Sequence, residues 1–175
     1  SSYVYYDVKG IEAQCLKDVY GPKISELESR DDVIILFENL LNEFYDNHVI
    51  LNTNTGSSYR LYAPIHAKFQ EDKAVITNVW QTQISNLPFN PLGAEILGLN
   101  DAAPNGMIKG FPTFCHDKSS PEIKDWLLNK ALAGRYDQPR VLKLQLPNGK
   151  IEELDLDALE YQRSIDLLNF REEGE

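Results

Sequence analysis

Apolar residues recur at helical spacing early in the chain. In DDVIILFENLLNEFYDN, Val33, Ile34, Phe37, Leu40, Leu41, Phe44 and Tyr45 repeat every three or four positions, which places them on one helical face. Ser29 or Asp31 can cap the start, Asp31 and Asp32 suit the positive end of the helix dipole, and Asn47 is a candidate exit residue. Residues 7 to about 28 also read as helical, with a break at Gly21-Pro22.

From residue 48 the pattern changes. HVILNT, SYRLYAPIHAKF and KAVITNVW are rich in β-branched and aromatic residues and read as strands, with QEDK as the turn between the last two. LGAEILGLND reads as a further strand, and APNG as the turn after it. SSPEIKDWLLNKALAG is the clearest helix. Ser119 or Ser120 caps it, Pro121 fits its first turn, Gly134 stops it, and Ile123, Trp126, Leu127 and Ala131 form its apolar stripe. PRVLKLQLPNGKIEELDL closes as a hairpin around Asn148-Gly149. The order predicts an α+β protein, with a helical N-terminal lobe followed by a small, partly open β-barrel bearing one main helix.

Composition narrows the partners. The chain has 175 residues, 42% of them hydrophobic and 25% charged, enough for a buried core. Its net charge of −10 repels phosphate, so nucleic acid is not an expected partner. No apolar run of about 18 residues is present, so no membrane span is expected. No basic-then-apolar leader opens the sequence. Cys15 and Cys115 are expected as two free thiols, with one long-range disulfide as the alternative. No CxxC or HExxH spacing occurs, and neither a metal nor a cofactor is expected.

Four stretches, in this order, resemble the N-terminal part of the S41 serine peptidases, the C-terminal-processing and tricorn-like proteases. LLNEFYDNHVILNTNTGSSYRL resembles that family's helix and D-x-H-[TV]-x-L corner. AVITNVW with NPLGAEILGLND resembles its PDZ-like strand pattern G-D-E-I-L-x-[IV]-N-G. WLLNKALAGRYDQPRVLKLQLPNGK resembles the PDZ-like helix and closing hairpin, and LNFREEGE the lead-in to the peptidase core. The resemblance implies a helical lobe over 1–57, a PDZ-like domain over 58–157 and a lead-in over 158–175. The chain departs from the pattern at Ala94, where aspartate is usual, and at Asp101, where glycine is usual. YAPIHAKF also lacks the glycine-flanked motif that holds a peptide carboxylate, and Pro64 removes a donor there.

The same resemblance implies a secreted or periplasmic serine endopeptidase. A PDZ-like part would take an extended peptide as an added strand, with Ile65, Ala67, Ile123 and Leu127 as candidate contacts. The nucleophilic serine belongs to a core of the same parent chain, and no G-x-S-x-G or S-x-x-K occurs here. The chain alone is therefore expected to be inactive. Tricorn-like members draw a histidine from this N-terminal region, which makes His48 the candidate general base. Processing-type members use a lysine from the core instead, and His48 would then be a structural corner residue. His66 and His116 match nothing in the pattern and read as ordinary surface or strand residues. A free-standing PDZ-like binding module and a catalytically dead scaffold are the alternative readings.

Overall fold

A computed structural model describes residues 10–51, 53, 56–80 and 86–160. The chain divides into two compact units, one of Ser1–Leu61 with Asn105–Gln138, the other of Tyr62–Pro104 with Pro139–Glu175. These sets cut across the expected limits at 57 and 157. The helix expected to accompany the sheet falls in the first set, here called the helical unit. Most of the expected lead-in, and residues 7–9 of the expected first helix, lie outside the described residues.

The helical unit opens with α1 (Ala13–Tyr20), a 3-10 turn over Pro22–Glu26 and α2 (Arg30–Asn42). Ser29 caps α2 in a reciprocal box. Its hydroxyl accepts from the Asp32 N–H at 3.1 Å, while the Asp32 carboxylate accepts from the Ser29 N–H at 2.8 Å. The face α2 buries is rotated from the expected stripe. Ile34, Glu38 and Asn42 are buried, whereas Val33 is 36% and Phe37 48% exposed. Two carboxylates, Glu38 and the following Glu43, turn inward because each meets donors there, as described below.

The APNG segment was expected as a turn. It instead starts a short helix, α3 (Pro104–Gly110), because a proline in the first turn gives up a donor that has no helical partner anyway. α4 (Pro121–Ala133) matches the expected helix, with Gly134 leaving it at φ 63°. After it, residues 134–138 run beside 56–60. The Arg60 N–H donates to the Gly134 carbonyl at 2.8 Å, and the Tyr136 N–H to the Ser58 carbonyl at 3.0 Å. Cys15 and Cys115 form a disulfide with Cα atoms 5.7 Å apart, which corrects the expectation of free thiols.

The sheet unit holds β1 (Ile65–Gln70), β2 (Lys73–Val79), β3 (Glu95–Leu99), β4 (Val141–Gln145) and β5 (Ile151–Asp155). Among the described residues they form one open antiparallel sheet in sequence order. Alternate residues supply its core: Ala74 and Ile76, Leu142 and Leu144, Leu154 and Leu156 are all buried. HVILNT is not a strand; its described residues are turn and irregular chain. Asn100 and Asp101 take φ 47° and 67°, and the turn is closed by the Leu99 N–H to the Ala102 carbonyl at 3.0 Å. Asp101 thus adopts the left-handed conformation that glycine takes in the resembled pattern, which short polar side chains tolerate.

Candidate functional site

The corner after α2 is built by side chains rather than by a ladder. Past Asn42 the helix tightens, with the Tyr45 N–H donating to the Asn42 carbonyl at 3.1 Å. Tyr45 then takes φ 34°, an uncommon conformation for a bulky residue, and its buried ring stands edge-on to His116. This bend throws the chain outward at Asp46. The Asp46 carbonyl accepts the Val49 N–H at 3.1 Å, closing a four-residue turn. On its far side, the Asn47 Oδ1 accepts the indole N–H of Trp126 on α4 at 3.1 Å.

His48 projects from this turn with 96% of its side chain exposed. One oxygen of Asp46 accepts the His48 backbone N–H at 2.9 Å and lies 3.0 Å from Nδ1 of the same residue. Nε2 has no protein partner among the described residues. A ring nitrogen open to solvent can accept a proton from a hydroxyl brought against it.

Behind the corner lies a buried polar cluster that the sequence did not announce. Glu43 is fully buried and accepts three bonds, from the Tyr20 hydroxyl at 2.5 Å and the backbone N–H groups of Phe114 and Cys115 at 2.7 and 3.0 Å. Burial, reinforced by the Glu43 hydrogen bond and charge, pushes the Tyr20 phenol far up, so it stays a donor. His116, expected as an ordinary residue, has only 1% of its side chain exposed. Its Nδ1 lies 3.1 Å from the Glu43 carbonyl and 3.4 Å from the Glu43 carboxylate, so it carries the proton and donates. Its Nε2 is buried with no partner among the described residues. Burial lowers the proton affinity of His116, with Glu43 opposing.

Glu38 forms a second buried anchor. It accepts the Tyr59 N–H at 3.0 Å and pairs with Arg135, which also donates to the Ser57 carbonyl. The Tyr59 ring packs under the Arg135 guanidinium at 4.2 Å and the Lys130 ammonium at 4.8 Å. Burial lowers the Lys130 proton affinity. These contacts hold residues 56–60 against the chain that leaves α4.

The other residues expected at a site are core. Ile65 and Ala67 lie on β1 in the sheet unit, 2% and 0% exposed, and Ile123 and Leu127 lie on α4 in the helical unit, 6% and 0% exposed. Each is buried. Among the described residues no cluster of His, Cys, Asp and Glu is placed to hold a metal. No described helix is long and apolar enough to cross a membrane. An apolar groove of about 510 Å³ opens between α1 and α2, lined by Leu16, Ile24, Leu36, Phe37, Leu40 and Phe44 among others.

No family description matches the sequence, and no curated relative does. Solved structures do match, by shape. The fold is similar to that of part of CPAF. A crystal structure of mature CPAF, chlamydial protease-like activity factor, covers 93% of this chain at 13% identity with a TM-score of 0.55. A crystal structure of a CPAF point mutant covers 91% at 14% identity, again with a TM-score of 0.55. CPAF is a tail-specific protease related to the S41 peptidases. The chain spans 30–31% of the length of these structures. At this identity the likeness is one of fold.

Proposed function

We propose that this chain is the N-terminal region of a serine endopeptidase of the S41 type and supplies its general base, His48. The carrying observation is an imidazole 96% exposed, with Nε2 unengaged among the described residues, on a rigid corner of a protease-like fold. In the reading offered here, a serine hydroxyl from elsewhere in the parent polypeptide gives its proton to Nε2 and attacks the scissile carbonyl. An extended peptide would add as a strand along an open edge of a PDZ-like sheet unit, by main-chain hydrogen bonds. The buried Ile65, Ala67, Ile123 and Leu127 would support the two units instead of touching peptide. Export to the periplasm or outside the cell belongs to the same reading.

The test is labelling of the parent polypeptide with a serine-reactive fluorophosphonate, together with casein cleavage. The expected result is labelling that His48→Gln lowers by roughly 10⁴-fold, as loss of a triad base does, while the 175-residue chain alone stays unlabelled. A parent that labels equally well with glutamine at position 48 overturns the reading and favours a lysine base. A parent that neither labels nor cleaves favours a scaffold or binding protein.

A further inference from the structure

Tautomers decide whether an exposed histidine can act as a base. Neutral imidazole carries one proton and one lone pair, and in water the proton rests mostly on Nε2. In that form the nitrogen that reaches furthest into solvent is a donor and cannot accept a proton. A base working through Nε2 needs its own proton parked on Nδ1, and something must hold it there.

Asp46 is placed to do so. The carboxylate oxygen that accepts the His48 backbone N–H at 2.9 Å also lies 3.0 Å from Nδ1. An ionised carboxylate only accepts, so the contact selects the Nδ1–H form. The two hydrogen bonds to one oxygen fix both the main chain of His48 and the orientation of its ring. Asp46 is itself steadied, since its side chain is only 21% exposed and its neighbours Tyr45 and Asn47 are held by His116 and Trp126. We infer that Asp46 is a positioning residue that sets the tautomer and direction of His48, so that base and orienting carboxylate are both supplied by this one turn. The inference deepens the proposed function and rests on it for its chemical purpose. When a hydroxyl proton passes to Nε2, the Nδ1 proton stays hydrogen-bonded to Asp46. The resulting imidazolium faces a carboxylate that lowers its energy. No orienting acid from elsewhere in the parent polypeptide is then required for the ring to be poised.

The test reads the tautomer directly, in the 175-residue chain and without a nucleophile. Long-range proton–nitrogen correlation at about pH 8 assigns the three histidines through His→Gln variants. The expected spectrum shows His48 mainly as the Nδ1–H form, and Asp46→Ala returning it to Nε2–H while the His116 signals stay in place. Asp46→Asn, which keeps an acceptor oxygen but loses the charge, should be intermediate. It also serves if the alanine variant does not fold. A wild-type His48 in the Nε2–H form overturns the inference, as does an Nδ1–H form indifferent to both substitutions. In the parent polypeptide, Asp46→Ala should lower kcat by roughly 10²–10⁴-fold with KM little changed. Nδ1–H selection by Asp46 in a parent indifferent to His48→Gln would sink the proposed function and leave the positioning intact.

Discussion

Two histidines in the helical unit each face a carboxylate through Nδ1, and their surroundings are opposite. His48 and Asp46 have side chains 96% and 21% exposed; His116 and Glu43 have 1% and 0%. The exposed pair presents a lone pair to solvent. The buried pair encloses one that has no partner among the described residues. Solvent and a mobile partner have direct access to the first, while the second is shielded by the surrounding side chains. The difference comes from the partner's other duties. Asp46 holds the His48 main chain and ring in a surface turn, whereas Glu43 ties α1, the end of α2 and residues 114–116 together. One pair suits proton transfer and the other suits holding a shape.

Removing each carboxylate tests that division most strongly. Glu43→Ala takes the acceptor from the Phe114 and Cys115 N–H groups and leaves the Tyr20 hydroxyl with only its longer contacts to the Asn39 and Pro112 carbonyls, and should cost about 3–5 kcal/mol of folding stability. Asp46→Ala should cost no more than about 1 kcal/mol. Denaturant melts of both variants measure this, and equal losses would erase the contrast. Reducing the disulfide is the next largest effect. It should lower stability by about 2–4 kcal/mol and shift the His116 resonances, because Cys115 lies between two residues that Glu43 holds. His48 resonances should not move.

The smallest effect is a slope. Burial lowers the proton affinity of His116 in the folded chain. The unfolded chain therefore binds a proton first, near pH 6.5. The stability contributed by neutral His116 is complete above that value and is lost as pH falls below it. Melts between pH 8 and 5.5 should show stability falling toward acid. His116→Gln should flatten the slope.

How much of this the sequence carried varies with the range of the cause. The cap at Ser29, the start and stop of α4 and the Asn148-Gly149 turn were legible because each is decided by adjacent residues. The strand expected at HVILNT failed because β-branched residues favour a strand only where a ladder partner exists; here the Asp46 side chain and carbonyl bond locally into a turn. The stripe on α2 was misplaced because it was read from apolar residues alone, while Glu38 and Glu43 turn inward. Their partners, Arg135 and the 114–116 backbone, are brought in only by the fold. A glutamate at the four-residue spacing Ile34, Glu38, Asn42 was the one sign available. His48 was singled out through the D-x-H resemblance, while the closeness of Asp46 to its ring needed a distance.

The covalent link between Cys15 and Cys115 also changes what a cut would look like. A single peptide-bond break anywhere between these residues leaves two fragments that remain one molecule until a reductant is added. On an unreduced gel a chain nicked at the His48 corner would show no loss of mass. Its new ends would be held at high effective concentration, so the cut corner could stay docked on α4. Cleavage within this span would therefore act as a loosening of one loop, and cleavage outside it as a loss of material.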